Sequence, residues 1–281
     1  MMRRNGDLPL MVSPASSCLL QDQRAPRPVG VNMATEGNKS YLAEEEEEPI
    51  VITDLGEGDN RSSLCLIGKV ATHKPFNAFG LLETMKKVWK PTHGIAKEIE
   101  SNLFSFQFKH WRDVDKILSM EPWQYDKNIL VLKRLDSGVQ PSSLNFDFVP
   151  FWIRIYDLPI AGRQTTVLRA IGNRCGQFLE VDPKTLDRVD RSIRIKILLD
   201  TTKPLKRRTK IVVGNGQPIW VQIKYERLPS FCYICGCLGH IKRDCEVVED
   251  REEINSLAES ELPFGDELRA SPMKHARVMV E

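Results

Sequence analysis

The sequence predicts an α+β fold in which two small units follow one another, and three observations support this prediction. From Ser63 to Leu135, hydrophobic residues recur with strand and helix periods in the order β-α-β-β-α-β. A second series of strand patterns, with one helical pattern among them, runs from Val149 to Tyr225. A short stretch rich in cysteine follows at 232–245, whereas both ends of the chain lack a regular hydrophobic pattern.

The first unit, residues 61–136, is predicted to be ferredoxin-like, the topology in which two helices cover one face of a four-stranded antiparallel sheet. The alternation of apolar residues and breakers predicts these elements in order: strand Ser63 to Ala71, helix from the cap Asn77 to the break at Pro91, strand Ile95 to Glu100, strand Leu103 to Phe108, helix Trp111 to Met120 and strand Asn128 to Leu135.

This topology is also that of the RNA recognition motif (RRM), so the first unit is predicted to be RRM-like. An RRM stacks bases on aromatic side chains of the open face of its sheet. The first strand here offers only Cys65 or Leu66 for that role, and Phe104, Phe106 and Phe108 all fall on one face of the third strand. Three phenylalanines on one face are more typical of a core, so we predict a core rather than a platform.

The second unit, residues 146–227, is predicted to be a small α/β unit. Its predicted elements are strand Val149 to Leu158, helix Gln164 to Asn173, and strands Phe178 to Val181, Ile193 to Leu199 and Pro218 to Tyr225. On the first of these strands, apolar residues alternate with Trp152, Arg154 and Tyr156. This aromatic and basic face suits either a single-stranded nucleic acid or packing against the first unit, and the pattern leaves both interpretations open.

Four residues have the spacing C-x2-C-x4-H-x4-C of a CCHC zinc knuckle, which we predict over residues 228–247: Cys232, Cys235, His240 and Cys245. Three thiolates and one imidazole suit a closed tetrahedral Zn²⁺ site with no position left for water. We therefore predict one zinc ion with a structural role. Gly236 and Gly239 supply the positive φ angles that so short a loop requires.

Other chemistry for these cysteines fits less well. A redox C-x-x-C motif starts a helix within a strand-helix-strand unit, whereas here a histidine and a third cysteine follow at ligand spacing. Seven cysteines in 281 residues, without an apolar signal segment, do not resemble a secreted disulfide framework. We expect an intracellular protein of the nucleus or cytoplasm. Cys237 is expected to be a spectator, although it can replace Cys235 in a strained alternative register.

The net charge of +2 hides a strong asymmetry along the chain. Residues 33–59 hold nine acidic residues and one lysine, whereas residues 203–245 hold nine basic and two acidic residues. Basic residues next to a zinc knuckle are typical of phosphate contact. The residues predicted to meet phosphates are Lys206, Arg207, Arg208, Lys210, Lys242 and Arg243. Residues 1–60 are predicted to be disordered and residues 248–281 to form a polar tail.

Several segments resemble a known plant family that pairs a domain of unknown function with a CCHC zinc knuckle. They are Asn102 to Phe104, Glu121 to Asp126, Leu130 to Arg134, Phe151 to Pro159, and Tyr225 to Cys232 running into the knuckle. A fainter match, from Pro263 to Ala270, has Glu267 where the family usually has tryptophan. The family is similar to the nucleic-acid-binding protein encoded first in plant LINE-type, non-LTR retrotransposons.

The resemblance implies zinc on the four knuckle ligands, base stacking on Tyr233 and no catalysis. With Ile241, Tyr233 makes the short aromatic and apolar surface of the knuckle. We therefore predict a non-enzymatic, zinc-dependent protein that binds nucleic acid, single-stranded rather than duplex, with low sequence specificity. A membrane or a small-molecule substrate is not expected. The alternative is a protein-interaction module whose knuckle is purely structural and whose acidic run, Glu44 to Glu48, binds a basic partner.

Overall fold

The computed structural model describes residues 64–186, 190–247, 258 and 261–271. The predicted disordered region and its acidic run lie outside the described residues, as do 248–257 and 272–281 of the predicted tail. The chain divides into two parts, Met1–Leu55 and Gly56–Glu281, and every described residue lies in Gly56–Glu281. No helix among the described residues is both long and apolar enough to span a membrane.

The first unit has the predicted β-α-β-β-α-β order with one additional short strand. Its elements are β1 (Cys65–Val70), α1 (Ala78–Trp89), β2 (Gly94–Glu100), β3 (Leu103–Phe108), α2 (Trp111–Ser119), β4 (Trp123–Tyr125) and β5 (Asn128–Arg134). The antiparallel sheet has the strand order β2-β3-β1-β5-β4, which is the ferredoxin-like order with β4 added at one edge. The predicted cap is confirmed, because Asn77 Oδ1 accepts a hydrogen bond from the Gly80 N–H at 2.9 Å.

The three phenylalanines of β3 are core residues, as predicted. Phe104, Phe106 and Phe108 are buried beneath α1 and α2 in one cluster with Leu81 and Val114. Burying aromatic rings of this size is a major source of stability for a unit with a single sheet. The helix-covered face of the first sheet is therefore unavailable to a ligand.

The opposite face of the first sheet carries no aromatic platform. Ile67 is buried against the segment that connects the two units, in a cluster that includes Phe146. Ile129 and Val131 of β5 belong to the hydrophobic cluster of the second unit. On the described strands, the face on which an RRM stacks bases thus has no aromatic residue, and its aliphatic residues on β1 and β5 are covered by the rest of the chain.

The second unit repeats the strand order of the first. Its elements are β6 (Phe148–Tyr156), α3 (Thr165–Cys175), β7 (Gln177–Val181), α4 (Pro183–Leu186), β8 (Ser192–Asp200), β9 (Arg208–Ile211) and β10 (Ile219–Tyr225). They form an antiparallel sheet in the order β7-β8-β6-β10-β9, which matches the first sheet position for position. Between β8 and β10 the structure places β9, whereas the first unit has α2 and β4 between its corresponding strands.

The zinc-knuckle segment contributes to the core of the second unit. The apolar side of the second sheet, including Phe151 and Ile195, forms one cluster with α3. Phe231 and Leu238 of the knuckle segment and Leu205 of the loop before β9 belong to the same cluster. Because these residues are almost fully buried, the knuckle is part of the folded body rather than an appended module.

Candidate metal centre and nucleic-acid interface

The backbone of the knuckle is a tight loop closed by its own hydrogen bonds. Gly236 and Gly239 adopt φ angles of 76° and 85°, as predicted from their positions. The N–H of Gly236 donates to the carbonyl oxygen of Cys232 at 2.9 Å, and the N–H of Cys232 donates to that of Cys237 at 2.9 Å. These bonds turn the chain back on itself, so that residues distant along the loop converge.

The four predicted ligands converge at one point. The ligand atoms of Cys232, Cys235, His240 and Cys245 all lie within 4.8 Å of one another. Tetrahedral zinc with bonds of about 2.0 to 2.3 Å separates its ligand atoms by roughly 3.3 to 3.8 Å, so small adjustments suffice to close the site around a metal ion. Cys232 and Cys245 are buried, while Cys235 and His240 are half-buried. The cluster is suited to bind a zinc ion with a complete set of protein ligands.

Cys237 lies outside this cluster. Its Sγ is 3.9 Å from the carbonyl oxygen of Thr202, in the loop that leads to β9. The Sγ of Cys235 is 3.3 Å from Nε2 of His240, which is the arrangement expected of two ligands of one metal ion. The geometry favours Cys235 over Cys237 as the second thiolate.

A backbone hydrogen bond joins the knuckle to the basic segment of the second unit. The N–H of Leu205 donates to the carbonyl oxygen of Gly236 at 2.9 Å. Tyr225, at the end of β10, donates its hydroxyl to the carbonyl oxygen of Lys206 at 3.1 Å, and its burial raises its pKa well above the ordinary value. Leu205 and Lys206 are therefore held beside the knuckle, although they precede it by more than twenty positions, and the basic segment continues from them along β9.

The knuckle also contacts the first unit. Lys74, after β1, forms an ion pair with Asp244 at 2.7 Å. The N–H of Ser230 donates to the carbonyl oxygen of Lys127 at 2.8 Å, in the turn between β4 and β5. Both contacts involve the folded metal loop or the residues that lead into it, so the metal site lies between the two sheets.

The segment 261–271, within the predicted tail, packs on the knuckle. The ring of Phe264 lies against Gly236 so closely that a β-carbon there would stand 2.5 Å from it. Asp266 accepts a hydrogen bond from the hydroxyl of Tyr233 at 2.6 Å. The pKa of Asp266 is lowered first by this bond and then by Arg269. Only the corresponding stretch of family resemblance marked this segment in the sequence.

Tyr233 is held by contacts at its ring and at its hydroxyl, unlike a side chain that is free to stack on a base. Its ring centroid is 5.0 Å from that of Phe231, and its hydroxyl is held by Asp266. Burial and then the neighbouring Asp266 raise the pKa of Tyr233. Further along the knuckle, Ile241 and Lys242 are half-buried, while Arg243 is exposed. The role of these residues in nucleic-acid contact remains a prediction, with Arg243 the most accessible of them.

The other four predicted phosphate contacts divide into two groups. Arg207 is directed toward the segment 261–271, donating to the carbonyl oxygen of Pro263 and lying 5.1 Å from the ring centroid of Phe264. Lys206, Arg208 and Lys210 are exposed and form no ion pair with a carboxylate in the described part of the chain. These three cations are free to neutralise phosphates.

Sequence reasoning missed Trp220, whose ring lies next to Arg208 and Lys210. Trp220 lies on β10 directly opposite Lys210 of β9, and 51% of its surface is exposed. The guanidinium of Arg208 is 4.6 Å from the centre of its ring. The alternation of Trp220, Gln222 and Lys224 with apolar neighbours indicates this face, but the predicted elements include no strand at 208–211.

The side of the second sheet that bears Trp220 is here called the mixed face, and strand register defines it. Residues paired across an antiparallel sheet share a face. The members are Arg208 and Lys210 on β9, Trp220, Gln222 and Lys224 on β10, Trp152, Arg154 and Tyr156 on β6, and Ser192, Arg194 and Lys196 on β8. The face predicted from Trp152, Arg154 and Tyr156 is thus part of a larger one.

One end of the mixed face is neutralised internally. Glu226 accepts hydrogen bonds from Arg154 Nε at 2.6 Å and from Arg194 Nη2 at 3.0 Å. Burial by itself raises the pKa of Glu226, but the bonds from Arg194 and Arg154 lower it overall. Arg194 also stacks 3.6 Å from the ring centre of Trp152. This end is an internal polar network rather than an open surface.

Two family models match the chain. Residues 58–143 match the Domain of unknown function (DUF4283), and residues 199–247 match the Zinc knuckle. The pairing expected from the sequence is therefore confirmed, and its two parts coincide with the first unit and with the metal centre together with β9 and β10. No curated protein matches the chain.

Among solved structures, the chain is similar to the RNA binding domain of Hrp1, solved in complex with RNA. The identity is 11%, over 49% of this chain and 81% of that one, with a TM-score of 0.22. It is also similar to the first two RRM domains of the yeast poly(U) binding protein Pub1, at 15% identity over 57% of this chain and 98% of that one, with a TM-score of 0.20. Since both scores are low, the fold assignment rests on the strand order described above.

Proposed function

We propose that this protein binds single-stranded nucleic acid without catalysing a reaction, and that zinc holds part of its binding surface in place. The hydrogen bond from the Leu205 N–H to the Gly236 carbonyl oxygen is the observation that carries this proposal. It fixes a row of exposed cations beside a cluster suited to zinc. Metal binding is coupled to folding in loops of this size, so loss of zinc disturbs the position of the cations as well.

The charge distribution favours a polyanionic ligand. Lys206, Arg208 and Lys210 are exposed without an ion pair to a described carboxylate, and Arg243 of the knuckle is also exposed. Each phosphate neutralised by such a residue releases condensed counterions, which makes the affinity fall with salt. Low sequence specificity follows, because phosphate contacts do not distinguish bases.

The role of the metal follows from its ligands. Three thiolates and an imidazole from the protein fill a tetrahedral site, which supports a structural rather than a catalytic zinc ion. Ligand thiolates require a reducing environment, and we therefore propose an intracellular location. The pairing of DUF4283 with a zinc knuckle supports, as part of the same proposal, descent from a plant LINE-type retrotransposon protein.

Fluorescence anisotropy tests the function directly. Zinc-loaded full-length protein is titrated into a fluorescein-labelled oligouridine, with a hairpin duplex of equal charge as competitor, at several salt concentrations. We expect micromolar or tighter binding at low salt, weak competition by the duplex, and a slope of log affinity against log salt of about −0.7 for each phosphate contact. Absence of binding by zinc-loaded protein at low salt contradicts the proposal.

A second candidate function is favoured by the packing of the segment 261–271. Tyr233 and Arg207, both predicted to contact nucleic acid, are engaged by Asp266 and by Phe264. This engagement supports a knuckle that acts only within the chain, in a protein-interaction module. The double variant Arg208→Gln and Lys210→Gln separates the two functions. Under the protein-interaction alternative, it gives the same anisotropy of labelled oligouridine as the parent protein does. Under the nucleic-acid proposal, its slope of log affinity against log salt is smaller than that of the parent.

A further inference from the structure

The exposed end of the mixed face combines an aromatic surface with unpaired cations. Tyr156, Gln222 and Arg208 lie in one row across β6, β10 and β9. Trp220 and Lys210 form the next row. Because strands in a sheet are about 4.8 Å apart, the side chains of adjacent strands in these rows are near neighbours. A ligand that lies across β9, β10 and β6 meets all five residues.

Trp220, at this end, has no evident structural need to be aromatic. Trp220 has about half of its surface exposed, so its side chain adds little to the core of the second unit. Its closest charged neighbours are cations, with Arg208 at 4.6 Å and Lys210 at 5.7 Å from the ring centre. Tyr156 is half-buried with the Lys224 ammonium 5.5 Å from its ring centre. Cations next to exposed rings are the composition of surfaces that bind single strands.

The polar network around Glu226 leaves the positive charge at the exposed end of the mixed face uncompensated. Glu226 is committed to Arg154 and Arg194, so it neutralises neither Arg208 nor Lys210. Arg208, Lys210 and Lys224 form no ion pair with any carboxylate that the structure describes. The exposed end of the mixed face is therefore a net positive surface with two aromatic rings, and its electrostatic complement is a polyanion that carries planar groups.

Gln222 offers a polar side chain between the two aromatic positions and the cations of this end. It is exposed and lies directly between Tyr156 and Arg208 in the row across the sheet. A side-chain amide offers both a donor and an acceptor, as does the 2′-hydroxyl of ribose. Ser192 of β8, opposite Tyr156, adds a second hydroxyl to the same row. These polar groups beside the rings favour RNA.

We propose that the exposed end of the mixed face stacks the bases of single-stranded RNA on Trp220 and Tyr156, while Arg208, Lys210 and Lys224 contact its phosphates. This assignment rests on the proposed function and gives it a location on the second sheet. The row of cations continues through Lys206 to the knuckle, because Leu205 is bonded to Gly236.

Trp220→Ala tests the stacking role, with Trp111→Ala as its matched control. Trp111 begins α2 in the first unit, is 56% exposed, and also has an arginine, Arg112, near its ring at 5.6 Å. Both variants are titrated with labelled oligouridine. We expect Trp220→Ala to weaken binding by about 5-fold to 150-fold, the range for one stacked base, with little change in salt slope. Trp220→Phe retains most of the affinity, and Trp111→Ala binds as the parent protein does.

The quenching of tryptophan fluorescence gives a second readout that does not depend on affinity. At saturating oligouridine, the parent protein and Trp111→Phe show quenching, whereas Trp220→Phe loses most of it, because the stacked fluorophore is gone. Circular dichroism of each variant establishes that the fold is intact. A folded Trp220→Ala variant that binds like the parent protein overturns the platform while leaving the proposed function standing. A parent protein that binds no oligonucleotide overturns the function itself.

Oligodeoxyuridine of equal length separates RNA from DNA, since it differs only in the 2′-hydroxyl. We expect the parent protein to prefer oligouridine, and Gln222→Ala to reduce that preference. Equal or tighter binding of oligodeoxyuridine by the parent protein overturns the assignment to RNA.

Discussion

Glu226 and Arg154 form an ion pair at 2.6 Å on the mixed face, and both side chains are largely shielded from water. Arg194 shares the same carboxylate and reaches Asp182 at 3.1 Å. One carboxylate thus holds two arginines that come from different strands. Removal of that carboxylate leaves two partly buried cations without their main partner, which is more costly than the loss of an exposed pair.

We predict that Glu226→Gln lowers the free energy of unfolding by about 2 to 4 kcal/mol at neutral pH, measured by urea denaturation. The pKa of Glu226 is held below its ordinary value of 4.5, so its stabilisation is present above that pH and is lost as the pH falls through the lowered pKa. The difference between variant and parent should therefore shrink in acid. Glu180→Gln is the control, because Glu180 pairs with Lys196 from an exposed position and should contribute less than about 1 kcal/mol.

Glu121 is predicted to have the opposite pH dependence. It is 5% exposed, its Oε1 lacks a hydrogen-bond partner among the described residues, and burial raises its pKa to about 8 despite Lys196 and Lys133. Because the folded state keeps this carboxyl protonated, stability falls as the pH rises from the ordinary pKa of 4.5 to about 8, and is then level.

Glu121→Gln removes this titration. Between pH 4.5 and about 8, we expect the free energy of unfolding of the variant to rise relative to that of the parent by at most about 1.4 kcal/mol per pH unit. In acid the two proteins should be equally stable. Thermal denaturation at pH 4 to 9 measures the difference. The exposed Glu100→Gln provides the control and should show no such trend. Parallel stability curves for Glu121→Gln and the parent contradict the prediction.

Removal of zinc is predicted to affect more than the knuckle. Phe231 and Leu238 share a hydrophobic cluster with β6 and β10, so loss of the folded loop uncovers part of that core. In hydrogen exchange after chelation, amides of the second sheet should lose protection, whereas β1 and β3 of the first unit should keep most of theirs. Native mass spectrometry should find one zinc ion per chain. Unchanged protection of β10 in the chelated protein would show that the knuckle does not support this core.

His240→Ala and Cys237→Ser are predicted to differ strongly in zinc affinity. The His240 Nε2 lies in the ligand cluster, while the Cys237 sulfur is directed toward Thr202. Loss of a ligand should weaken binding by orders of magnitude, and loss of the spectator thiol should change it little. Competition with a colorimetric zinc chelator measures both. Similar losses in the two variants contradict the ligand assignment.

Long periodic elements were predictable from the sequence because burial alone specifies them. The strand Leu103–Phe108 agrees at both ends, and the helix that starts after Asn77 agrees with its cap. The metal ligands were equally accessible to sequence reasoning, since chemistry and spacing define them without knowledge of the fold.

The elements that were missed depend on pairing or packing with another segment of the chain. Trp123–Tyr125 is too short to show a period and exists as a strand only through pairing with β5. Arg208–Ile211 is charged, and pairing with β10 makes it a strand. The docking of Phe264 requires the surface of Gly236, which forms only when the knuckle has folded. In each case the deciding partner is another segment of the chain, which the local pattern of the element itself does not show.

The sharing of one hydrophobic cluster by the second sheet and the knuckle has a consequence during synthesis on the ribosome. All residues of the core between the first sheet and its helices precede Arg134 in the chain. The first unit can therefore fold as soon as the chain up to Arg134 has emerged. The second sheet, complete in sequence at Tyr225, still lacks Phe231, Leu238 and Leu268, all of which are buried in its cluster. Its apolar side therefore stays exposed to chaperones and to aggregation until a further forty or so residues have been translated and a metal ion has been acquired. We therefore expect the yield of folded protein to depend on the supply of zinc.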